Sequence, residues 1–387
     1  MPITTLSQAM QAMQAMQSMQ AMQAMQAMQA MQPAQAAAAT THGASPTGLI
    51  TARDGIAGST RGVFAPVSAN VGEVSNLRSW PAWCRRYVLL GEILSRVSYH
   101  RVEEGVALHL LTLSEAGAEV QPTLLPLATM IRPSPEDFVA QAPLVHSYAD
   151  LRLDRAQEIA DQMTSCMPYL APILPLVPER APYTLELMGL VQDVAVHLAQ
   201  YCKHVLACAR PHAYSAQLQP MIQTPGHSAL PSGHATEAFA LAEALRLLVA
   251  EPAPAPGPDI PVPVSTQLMA QAARIAVNRT VAGLHFPADS FAGAFLGITA
   301  ARLVAAFAGE RDLETEAKFD GRGIGSADFY LAKVWNPKTA ELIEYPRPNP
   351  SENGFVLDYG STPGDGVPNL KSDPVFWLWD LARKEWP

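Results

Sequence analysis

Four apolar stretches at helical spacing fill the middle of this 387-residue chain: residues 184–209, 232–250, 265–282 and 287–308. Polar motifs stand at their ends. Such a chain has few ways to fold. The apolar faces must bury one another, and that packing carries the polar helix ends toward a common region. The longest stretch holds Leu185, Leu187, Leu190, Val191, Val194, Val196, Leu198, Val205 and Leu206. Further helices are expected over 76–98 and 154–166. No strand period stands out, so the pattern predicts an all-α helical bundle. The last 70 or so residues are richer in Gly, Pro, Asp and Trp (Trp335, Trp377, Trp379, Trp386) and are expected to form an irregular C-terminal wrap that buries those rings.

Hydrophobic residues make up 49% of the chain and charged residues 16%, with a formal net charge of −9. That balance argues against a general role on nucleic acid, so any basic site must be local. Cys84, Cys166, Cys202 and Cys208 show no zinc-type spacing and suit free thiols. The apolar run 286–309 contains Asp289 and Arg302, which argues against a membrane span. No charged segment followed by an apolar core opens the chain, so a cytoplasmic location is expected. Residues 10–32 repeat Met-Gln-Ala, and nine of the fifteen methionines lie there or at Met1. A period of three cannot hold one helical face, so residues 1–32 are expected to be a low-complexity tail. Residues 33–70 suit a linker, and 71–387 a single helical catalytic domain with core motifs at 180–310. Residues 252–263 hold six prolines and predict a loop within that domain.

Three motifs carry the chemistry. Lys203 and Arg210 lie two helical turns apart, with Pro211 expected to end their helix. Alone they better suit two solvated cations on an amphipathic helix. Pro231-Ser232-Gly233-His234 precedes a helix whose first amides are free to meet an anion. Gly233 allows close approach, and His234 can move a proton near neutral pH. In Arg279-x5-His285-x3-Asp289, Gly283 reads as a helix stop and Pro287 as the next helix start. Asp289 can then accept the Nδ1 hydrogen of His285 and free its Nε2 as nucleophile or ligand. Together these are the parts for enclosing a tetrahedral oxyanion.

Residues 180–310 resemble the superfamily that joins vanadium-dependent haloperoxidases to type 2 phosphatidic acid phosphatases and bacterial class A acid phosphatases. Asn278 departs from it, standing where the family usually has serine. The resemblance implies vanadate as cofactor, with His285 bonded to the metal. Lys203, Arg210, Ser232, Gly233, His234 and Arg279 would hold the oxyanion, and His234 would be the acid–base group. Lys203 would also hydrogen-bond bound peroxide, and Asp289 would support His285. His227, seven residues before His234, is similar to a second histidine of algal bromoperoxidases; fungal chloroperoxidases have phenylalanine there. A loop histidine open to solvent is the other reading of His227. The implied activity is oxidation of bromide or iodide by hydrogen peroxide to hypohalous acid, with a small organic acceptor and a homo-oligomeric state. A phosphatase working through a phosphohistidine on the same residues is the alternative.

Overall fold

The computed structural model describes residues 70–116, 119–249, 262–348, 354–362 and 370–387. The expected tail and nearly all of the linker lie outside the described residues, as does most of the proline-rich segment. The chain divides into two units, residues 1–85 and 86–387. In the first, a 3-10 turn over Val74–Ser79 precedes the start of helix α1 (Ala82–Leu94). Arg85 closes that turn by donating to the Trp80 carbonyl at 2.6 Å.

In the second unit a β-meander follows: β1 (Val97–Val102), β2 (Gly105–Ala116) and β3 (Glu119–Ile131). Then come α2 (Pro135–Tyr148), α3 (Arg152–Asp161), α4 (Pro182–Leu206), α5 (Gly233–Val249), α6 (Val264–Val281) and α7 (Pro287–Phe307). The chain ends with β4 (Ala317–Asp320), β5 (Val356–Asp358) and α8 (Asp373–Arg383). The all-α expectation is therefore corrected. A five-stranded sheet, ordered β1-β2-β3-β4-β5, stands beside the helices. Its pairs are antiparallel except β3 with β4, which run parallel. On β2, Val106, Leu108 and Leu110 are fully buried, the period-two signature of a strand with one face on the core. The C-terminal wrap is correspondingly less irregular than expected, since it supplies two strands of this sheet and a helix. It does bury Trp335 and Trp379, and Trp377 and Trp386 pack against the core.

Local chemistry sets the helix ends. Ser134 and Asp137 form a reciprocal capping box at α2. Helix α4 begins at Pro182 without a cap of its own, and the Glu385 carboxylate accepts from the Tyr183 and Thr184 amides, both at 2.8 Å. Helix α5 packs against α4, α6 and α7. Helix α7 has the length and hydropathy to cross a membrane but is 94% buried inside the protein. Gly293 and Gly297 bring it unusually close to α5: a Cβ at Gly297 would stand 2.3 Å from the Thr236 carbonyl oxygen.

Candidate active site

Lys203 lies in the last turn of α4, 1% exposed. Its Nζ donates to the carbonyls of Ser228, Ala229 and Pro231 at 3.0, 2.8 and 2.5 Å. The lysine thus pins the loop before α5 and commits its three hydrogens to it. Arg210 is placed differently from expectation. Helix α4 stops at Leu206 because Ala207 turns left-handed (φ 50°), and Arg210 is extended. Its side chain runs back into the protein, where Nη1 donates to the Leu284 carbonyl at 3.0 Å and lies 3.3 Å from His285 Nε2. Nε reaches the His227 carbonyl at 3.2 Å, and Nη2 lies 3.3 Å from His227 Nδ1. His227 itself is exposed at this edge.

The Ser232 amide donates to the Asp289 carbonyl at 2.9 Å, tying the start of α5 to the start of α7. Ser232 Oγ accepts from the Ala235 amide at 3.4 Å and keeps its own hydrogen for a guest. The space a Gly233 Cβ would fill is 3.9 Å from both Lys203 Cε and Glu237 Oε1. The Gly233 and His234 amides belong to the first turn, which has no acceptor within the helix. His234 Nε2 lies 3.0 Å from the Gln162 carbonyl oxygen. A carbonyl only accepts, so Nε2 carries the hydrogen and Nδ1 is the free base. Burial, then the charge of Arg279, pulls His234 down to about 3.

Gly283, at φ +75°, ends α6, and the Leu284 amide caps the Arg279 carbonyl at 3.0 Å. This reversal puts His285 between α6 and α7. Its Nδ1 donates to Asp289 Oδ2 at 3.0 Å, and the Phe286 amide donates to the same oxygen at 3.0 Å. The carboxylate fixes the tautomer, so Nε2 holds the lone pair. Burial holds His285 well below its ordinary value, and the charges of Lys203, Arg210, His234 and Arg279 add to this. Burial also lowers Lys203 and raises Asp289; each charge opposes the shift of the other.

Arg279 is fully buried. Its Nη2 donates to the Ile159 carbonyl at 3.2 Å and to Gln162 Oε1 at 2.9 Å, while Nε and Nη1 have no partner among the described residues. Burial lowers it to about 10. Gln162, 1% exposed, was not among the expected site residues. Nothing in its sequence neighbourhood marks it, since it follows an ordinary polar helix.

The structure thus gathers Lys203, Arg210, Ser232, Gly233, His285 and Asp289 directly, and joins Arg279 to His234 through Gln162. His227 borders them from the surface. Three buried or nearly buried cations, Lys203, Arg210 and Arg279, stand against the carboxylates of Asp289 and Glu237, both pushed up by burial. Among the described residues, three buried donor nitrogens here, Arg279 Nε and Nη1 and Gln162 Nε2, lack acceptors, and one buried acceptor, Asp289 Oδ1, lacks a donor. Unmet donors beside buried cations suit an anion with several oxygens.

Helices flanked by a five-stranded sheet thus bring cations, two histidines and one helix N-terminus together in the protein interior. Residues 184–312, a segment that holds every expected site residue, match the PAP2 superfamily. That superfamily covers phosphatases and vanadium haloperoxidases, and its members are usually enzymes. No curated protein matched the chain.

Proposed function

We propose that this protein is a vanadate-dependent haloperoxidase of the bromoperoxidase kind, oxidising bromide or iodide with hydrogen peroxide. The observation that carries the reading is the buried, unpartnered Nε and Nη1 of Arg279 in a pocket of excess positive charge. Leaving such donors unmet costs about 1–3 kcal/mol each. A bound oxyanion meets them and balances the charge. The donor set fits vanadate. Arg210, Arg279, the Ser232 hydroxyl and the Gly233 amide would hold its oxygens. Lys203 would join them by exchanging one carbonyl for an oxygen. His285 Nε2 would bond the metal once Arg210 Nη1 moves aside. When bound, vanadate supplies a Lewis-acidic vanadium(V) that polarises peroxide without changing oxidation state.

The protein's own residues manage the protons. His234 is neutral at pH 7 and offers Nδ1 as the base that takes a proton from hydrogen peroxide. In ester hydrolysis on the same residues, His234 would instead begin protonated and serve the leaving alcohol. Halide, peroxide and one proton yield hypohalous acid and water, and His234 returns its proton in that step. Asp289 keeps His285 in the ligating tautomer throughout. His227, held near Arg210 at the exposed edge of the site, would meet halide and a small organic acceptor there.

A paired assay tests the reading. Purified protein loaded with orthovanadate should brominate a phenolic dye with peroxide and bromide, and show little hydrolysis of a phosphate monoester without vanadate. Ester hydrolysis with no bromination at any vanadate concentration would establish the phosphatase instead.

A further inference from the structure

Arg279 makes no ion pair among the described residues. Glu158, on the helix that supplies the Ile159 carbonyl, is engaged by Arg274 at 2.9 and 2.5 Å and by Asn278 Nδ2 at 3.0 Å. Asn278 in turn accepts from Arg155 Nη1 at 2.8 Å. What holds Arg279 is neutral: the Ile159 carbonyl and the Gln162 amide oxygen. The orientation of that amide is settled by chemistry. A guanidinium only donates, so the atom 2.9 Å from Arg279 Nη2 must be Oε1. Asn278 Nδ2 donates to the same oxygen at 3.1 Å. The amide nitrogen Nε2 is left buried and unmet, a third donor beside the two of Arg279. The backbone carbonyl of the same residue holds His234 Nε2.

We propose that Gln162 is a positioning residue that fixes Arg279 and His234 while leaving the full positive charge of Arg279 to the oxyanion. A carboxylate at this place would hold the guanidinium as firmly, or more so, but would cancel its charge. The amide gives geometry without neutralisation. The inference rests on the oxyanion reading above.

Orthovanadate titration of Q162E and Q162L by calorimetry, with thermal melting of each, tests it at one fixed pH above neutrality. Q162E adds a counter-charge to Arg279 and removes the free donor. It is expected to melt at or above the wild-type temperature yet to bind orthovanadate about tenfold or more weakly. Q162L loses the clamp without adding charge and is expected to weaken binding less than Q162E. A purely structural role predicts the opposite pattern, with Q162E binding like wild type and Q162L the more damaged. Equal affinity of Q162E and wild type, a reversed order of the two variants, or a Q162E that does not fold would each overturn the inference. A wild-type protein that binds neither orthovanadate nor orthophosphate would remove the oxyanion reading itself, and this inference with it.

Discussion

Replacing Arg279 by methionine tests the central argument about charge and unmet donors. Among the described residues, Arg279 has two buried donor nitrogens, Nε and Nη1, without partners and no pairing carboxylate. Each unmet donor costs about 1–3 kcal/mol. Methionine has similar reach and needs no partner. The substitution gives up the bonds to Ile159 and Gln162. Gln162 Oε1 keeps Asn278, so one acceptor, the Ile159 carbonyl, is newly uncovered at a cost of about 1–3 kcal/mol. Two donors relieved against one acceptor uncovered leaves R279M about 1–3 kcal/mol more stable than wild type without anion. At roughly 2 °C per kcal/mol for a domain of this size, the melting temperature rises by about 2–6 °C. Adding orthovanadate or orthophosphate at about 100 times its Kd should stabilise wild type by about 2.7 kcal/mol, and R279M far less. Differential scanning calorimetry in anion-free buffer, then with each oxyanion, reads both effects. An R279M that melts more than about 5 °C below wild type without anion would refute the reasoning, because Arg279 would then be satisfied in the empty fold.

Two further outcomes are expected. D289N replaces the acceptor that fixes His285 with an amide and should lower kcat about 100-fold or more while leaving the halide KM near wild type; steady-state kinetics with loaded enzyme decides this. Burial, then the charge of Arg279, pulls His234 down to about 3 in the folded chain, against about 6.5 when unfolded. The unfolded chain therefore binds the extra proton, and the contribution of His234 to stability is whole above pH 6.5 and falls as pH drops toward 3. The wild-type-minus-H234Q difference in unfolding free energy should shrink by up to about 1.4 kcal/mol per pH unit between pH 6 and 4, as urea melts would report. A flat difference would mean that His234 is not held neutral by its surroundings.

The helical core was legible because four long apolar stretches left little choice, whereas the sheet was hidden for identifiable reasons. Strand β3 contains Pro122 and Pro126, residues that argue against a paired strand. Pro126 pairs with His109, where the register of β2 and β3 shifts at a bulge that tolerates its missing amide hydrogen. Strands β4 and β5 have four and three residues, too short for a period to show. Lys203 and Arg210 were expected on one helix face, but the left-handed turn at Ala207 is not signalled by alanine, which favours helix. Gln162 was invisible for another reason. Its importance lies in a carbonyl and an amide meeting residues more than 70 positions away, and local sequence does not encode such contacts.

The site's geometry is set as much by small residues as by charged ones. Ser232 and Asp289 open neighbouring helices, and their 2.9 Å backbone hydrogen bond requires α5 and α7 to approach within a side chain's width. Gly293 stands one turn beyond Asp289 and would, with a Cβ, meet Ala235 Cβ at 2.6 Å and the Ser232 carbonyl oxygen at 2.8 Å. Gly297 repeats the arrangement one turn further along. Any larger residue there forces the helix starts apart, because backbone atoms cannot yield as a flexible side chain would. The Asp289–His285 pair would then leave the amides of Ser232 and Gly233. The apolar core therefore does more than bury surface. By holding two helices at glycine-limited distance, it keeps one imidazole and one helix N-terminus facing the same small volume, beside the buried cations.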